Sequence, residues 1–191
     1  MATSTPTPAA RSSVLRVFVP FAVAAVVAVT LGSYGRVHDP AGQETITLFF
    51  TRTLNFKAWA TTVALALAVF QIASAARLYG RFPYPRAMPA WYGQAHRLSG
   101  TLAFACTLPV AFHCLWSLGF QDDLGNLRTF VHSVAGCFFF GIFAAKVLTV
   151  RARSMPGWAL PLIGSLVFTA LVVLWSTSSL WFFRHQGFPS F

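Results

Sequence analysis

Residues 96–146 read HRLSGTLAFACTLPVAFHCLWSLGFQDDLGNLRTFVHSVAGCFFFGIFAAK. Two apolar runs flank one short polar turn, Gln121–Asn126 (QDDLGN). A helix needs about 20 apolar residues to cross a bilayer, and each run meets that length. Each run also carries a histidine close to the turn, His113 in the first and His132 in the second. An ionisable residue inside a membrane span is costly, so its default reading is functional.

The two histidines sit at matched depth. With a rise of ~1.5 Å per residue, His113 lies roughly 8 Å below Leu118, and His132 roughly 8 Å in from Leu127. An antiparallel hairpin therefore brings both to one level. At about 100° per residue, the face of His113 includes Ser99, Leu102, Cys106 and Pro109, while that of His132 includes Ala135, Gly136, Phe139, Phe143 and Lys146. Gly136, one turn from His132, admits the edge of a flat macrocycle, although tight helix packing uses such a glycine equally well. These residues suggest a haem iron held axially by His113 and His132. Two imidazoles leave no open position on the iron, which suits electron transfer better than oxygen chemistry.

His96 stands 17 residues before His113. That is ~25 Å along a helix, so it cannot reach the same haem. It is the candidate metal ligand at the opposite level. Fourteen residues beyond His132, where a partner for a second haem is expected, stands Lys146. It suits a haem propionate, or snorkels to the interface. One haem is expected rather than two. A zinc site built on His113, Cys114 and His132 fits less well, because Cys114 is about 100° round the helix from His113.

Further out, composition sets the class. Of 191 residues, 56% are hydrophobic and 9% charged, against the about 25% charged of a soluble domain. An all-α polytopic membrane bundle is expected, with no separate soluble domain. The formal charge of +10 comes from scattered single residues rather than a patch, so no nucleic-acid partner is implied. Cys106, Cys114 and Cys137 all fall in apolar runs and read as packing residues, without a C-x-x-C-H for covalent haem.

In order, residues 1–13 read as a disordered cytoplasmic tail, and five spans are expected at about 14–33, 55–78, 94–118, 127–150 and 158–183. The first span competes with a signal peptide but is long for one. The segment ETITLFFTRTLNF, 44–56, is too polar to span; it suits a short interfacial helix or an outward extension of the second span. Residues 184–191 read as a short external tail. Five spans put the ends on opposite sides. Arg11, Arg16, Arg77, Arg81, Arg86, Arg97, Lys146, Arg151 and Arg153 then share one side, and Arg36, Arg52, Lys57, Arg128 and Arg184 the other. The positive-inside bias places the N-terminus in the cytoplasm, the C-terminus outside and the histidine pair near the outer face of a bacterial plasma membrane.

The run from His96-Arg97 through Gly100 and Leu102-Ala103-Phe104 to His113 resembles the membrane b-type cytochromes, especially the ferric reductase-like transmembrane group. HSVAGCFFFGIFAAK, 132–146, is similar to their partner helix. The resemblance covers residues 94–151. It implies a haem b-binding subunit of an oxidoreductase, exchanging electrons with a membrane quinone or with a Rieske-type or c-type redox protein on the outer side. The longer glycine-to-histidine spacing and the missing inner ligand pair depart from that pattern. The chain also resembles a family of small actinobacterial membrane proteins. The alternative is a cofactor-free small transporter or assembly subunit. No span holds Asp or Glu and no internal repeat is visible, which argues against the transporter. G-x-S-x-G and H-E-x-x-H are both absent, so hydrolase chemistry is not indicated.

Overall fold

The computed structural model describes residues 8–82, 87–152 and 155–188, with side chains from residue 17 onward. Among these residues there is no strand. The helices are α1 (Pro8–Val37), α2 (Thr53–Leu78), α3 (Tyr92–His113), α4 (Leu127–Arg151), α5 (Ala159–Trp175) and a short α6 (Trp181–Gln186). Two π-helical turns interrupt the regular winding. Cys114–Leu118 extends α3, and Ser176–Leu180 joins α5 to α6. Five helical segments of the described chain are long and apolar enough to cross a membrane. The protein is an all-helical, multi-pass membrane bundle.

The spans match the apolar runs, with shifts at their ends. The first helix continues past residue 33 to Val37 in spite of Gly35, where a Cβ would lie 3.2 Å from Leu115 and 3.4 Å from Phe120, so the weak helix former serves a close contact. Pro20 is accommodated inside this helix. Of the expected tail, residues 1–7 lie outside the described residues, while α1 already begins at Pro8. The last helix runs on to Gln186, so the expected external tail is shorter by three residues.

Short connections make neighbouring helices antiparallel, so one end of the bundle gathers the QDDLGN turn, the start of α2 and the end of α5. We call this the turn end. The other, the arginine end, holds Arg77, Arg81 and Arg151. The helices α2 and α3 pack along their length, α4 packs on both α1 and α5, and α2 meets α5. The helices α3 and α4 instead face one another across aromatic side chains. Phe104 stacks on Phe143, with ring centroids 3.9 Å apart and planes at 7°. The closest backbone approach is between α1 and α4. A Cβ added at Gly141 would run into the carbonyl oxygen of Ala24 and lie 3.1 Å from the Ala28 methyl. Without water to drive association, such small-residue contacts hold membrane helices together.

Only the last residues of 44–56 extend α2; the earlier part forms no helix. The segment 38–52 folds over the turn end instead. Ala41 and Gly42 donate backbone N–H groups to the carbonyls of Trp116 and Ser117, at 3.0 and 3.1 Å. These carbonyls belong to the π-turn and its end, where intrahelical donors run out. Phe120 N–H returns to the Gly35 carbonyl at 2.7 Å, and Arg36 pairs with Asp122. His38 stacks between Tyr34 and Trp116, with centroids 5.1 and 4.5 Å away.

Candidate functional site

Two cavities lie one above the other inside the bundle. The turn-end cavity, of about 300 Å³, is walled by α2, α3, α4, α5 and both π-turns, and touches α1 at Leu31. The arginine-end cavity, of about 480 Å³, lies among α2, α3, α4 and α5. Phe139 and Leu171, 2% and 3% exposed, line both and form the partition.

His132 lines the turn-end cavity from α4. Its Nδ1 lies 2.9 Å from Thr177 Oγ1. The Thr177 hydroxyl donates to the Val173 carbonyl at 2.7 Å, and it has one hydrogen to give. With that hydrogen committed to Val173, Thr177 accepts from His132 Nδ1, and the Cys114 thiol hydrogen-bonds the same ring. An imidazole oriented by a bond from one nitrogen, with the other free to coordinate, is the form in which histidine binds metals. Gly136, one turn away, borders the same cavity, and an added methyl there would meet only Leu174 Cδ2, at 3.9 Å.

Sequence reasoning set Cys114 beside His132 only in the zinc alternative and missed the rest of this wall. Cys114 faces both His132 and Lys57. Arg128 donates from Nη1 to the Thr177 carbonyl at 2.7 Å and lies over the Trp181 ring at 4.1 Å. Thr61 and Ser179 share a hydroxyl bond of 2.6 Å, and Trp175 Nε1 donates to Thr62 at 2.9 Å, tying α2 to α5. Both π-turns contribute wall residues, Cys114 and Leu115 from one and Thr177 to Ser179 from the other. Single π-turns inside helices are frequent at functional sites. The density of Ser and Thr in 176–179 was the available signal.

His113 takes a different direction. It is 5% exposed, its Nδ1 is 3.1 Å from Thr45 Oγ1, and it lines neither cavity. The structure thus does not bring His113 and His132 to one cavity. His96 and Lys146 share the arginine-end cavity. His96 Nδ1 is 2.7 Å from Ser74 Oγ, and that hydroxyl is 3.2 Å from the Gln71 carbonyl. The arrangement parallels His132 and Thr177, one level away and on other helices. Among the described residues, no group of three or more His, Cys, Asp or Glu side chains forms a metal cluster.

A family of unknown function (DUF6529) matches residues 17–190. The chain belongs to that family. No curated protein and no solved structure matches it. The family match takes in all five membrane helices, both cavities and the segment 38–52 that caps the turn end.

Proposed function

We propose that this protein is a haem b-binding membrane subunit for electron transfer, with the haem in the turn-end cavity and His132 as an axial ligand. The observation that supports this reading is the His132–Thr177 bond, which orients an imidazole on the wall of a mainly apolar cavity inside a four-helix frame; ligation would displace the Cys114 thiol from that ring. Bound haem would supply a one-electron centre; the protein's part is orientation, burial and charge. Lys57 and Arg128, the cations on this wall, would pair with the propionates. That role passes from Lys146, which borders the other cavity. His113 lines neither cavity and joins as second ligand only if cofactor binding brings its ring to this one. The positive-inside bias puts the turn end outside a bacterial plasma membrane. A membrane quinol, or an outward Rieske-type or c-type protein, would then be the electron partner.

The test is haem content in purified protein. His132→Ala is expected to lose the haem while the chain still inserts; haem retained at the wild-type ratio overturns the assignment. His113→Ala separates one histidine ligand from two. Loss of haem there means that the ring turns inward when the cofactor binds.

A second reading has its own support. His96, His113 and His132 each bond a hydroxyl on another segment, so all three also serve as ties between segments. A cofactor-free assembly subunit or small transporter needs nothing more from them. Under that reading each substitution costs about 1 kcal/mol of stability and no absorption band exists.

A further inference from the structure

The arginine-end cavity carries an imbalance of charge. Lys146 lines it from within α4, and Arg81 lines it at its mouth. The chain has only four acidic residues, Asp39, Glu44, Asp122 and Asp123, and all lie at the turn end. Among the described residues the ion pairs are Arg36–Asp122 and Arg52–Glu44, both far from this cavity. The Lys146 ammonium lies over the Phe143 ring, 6.0 Å from its centroid. A cation inside a membrane bundle is expensive without a partner. Among the described residues no carboxylate is placed to supply one.

The other polar groups are already engaged. Gln71 donates from Nε2 to Ser99 Oγ at 2.7 Å and to the His96 carbonyl, and Ser74 holds His96 Nδ1. The remaining wall is apolar and small-residued, with Ala75, Ala76, Gly100 and Gly164 leaving the space. Exposed Ile72 on α2 and exposed Ser165 on α5 also line it, so the cavity opens sideways between these helices. A molecule lying in the bilayer has a way in. Tyr79 and Arg81, also exposed, mark the opening at the membrane surface.

We propose that this cavity binds an amphiphile with an oxyanion head, the head against Lys146 and Arg81 and the tail along the apolar wall. This proposal stands apart from the haem reading, since it concerns the other cavity and other residues. A fatty-acid carboxylate and the phosphate of an anionic phospholipid share the required chemistry.

The experiment is lipid binding to delipidated full-length protein in detergent, followed by native mass spectrometry. The probes are oleate, oleyl alcohol, phosphatidylglycerol and phosphatidylcholine. Saturable binding of oleate or phosphatidylglycerol is expected, with oleyl alcohol and phosphatidylcholine at least about tenfold weaker. The anion that saturates at the lower concentration identifies the source. Lys146→Gln is expected to weaken the anion about tenfold, and Lys146→Arg to restore it. If Lys146→Gln fails to fold, the comparison of oleate with oleyl alcohol on the wild type decides. Equal binding of charged and neutral probes, or no saturable anion binding, overturns the proposal.

Discussion

Thr177 holds the His132 ring by accepting from Nδ1, because its own hydrogen is committed to the Val173 carbonyl one turn back. One threonine in a π-turn of the last span thus sets the proton position of a histidine on the preceding helix. The bond joins two helices, and the Cys114 thiol bonds the same ring from the end of the third span.

Thr177→Val keeps the shape of the side chain and removes the acceptor. It is expected to lower haem affinity 10–100-fold, as loss of a ligand's supporting partner typically does. Titration of haem into the apoprotein measures it. Thr177→Ser, which keeps the hydroxyl, is expected to restore binding.

Gly141 and Gly136 are expected to behave oppositely. Gly141→Ala drives a methyl into the Ala24 backbone and so forces α1 off α4. A cost of about 1–3 kcal/mol is expected, typical of overpacking. Gly136→Ala has room, with its nearest neighbour at 3.9 Å, and is expected to shift stability by less than about 0.5 kcal/mol. Thermal unfolding in detergent compares the two.

At the turn end, Gly119 has φ of +68°, and a Cβ there would lie 2.9 Å from Pro40 Cγ. Gly119→Ala is expected to cost about 1–3 kcal/mol through backbone strain alone. Asp122→Asn breaks an ion pair with Arg36 whose side chains are 65% and 50% exposed, and is expected to cost under about 1 kcal/mol. Proteolysis of the 38–52 segment reports both, and salt is expected to reproduce only the second.

Thr45→Val removes the hydroxyl that bonds His113 Nδ1. If His113 is a haem ligand, the substitution is expected to change the haem content or shift the Soret band. If His113 only ties the loop to α3, protease cleavage near residue 45 is expected to rise while the haem spectrum stays constant. Cleavage kinetics and absorption, measured on one sample, separate the two.

The bundle was legible in the sequence because span length and scarcity of charge are properties of composition. The placement of His96 and Lys146 on one level followed from rise per residue, and that of His132 and Gly136 on one face from the helical repeat. The direction of His113 was not legible. Apolar residues surround α3 on every side, so no stripe marks which face turns inward. The partner of its ring is Thr45, 68 residues earlier in a segment that forms no helix. Which glycine makes the tight contact was not legible either. Gly136 and Gly141 look alike in a run of phenylalanines, and only the path of α1 across α4 distinguishes them. The two π-turns lack a sequence signature, since one holds CLWSL and the other STSSL.

The most direct measurement is the reduced-minus-oxidised absorption spectrum of the purified wild-type protein, with His132→Ala beside it. The haem reading predicts a Soret band and b-type visible bands in the wild type and their loss in the variant. A wild-type spectrum with no Soret band, from cells able to make haem, contradicts it.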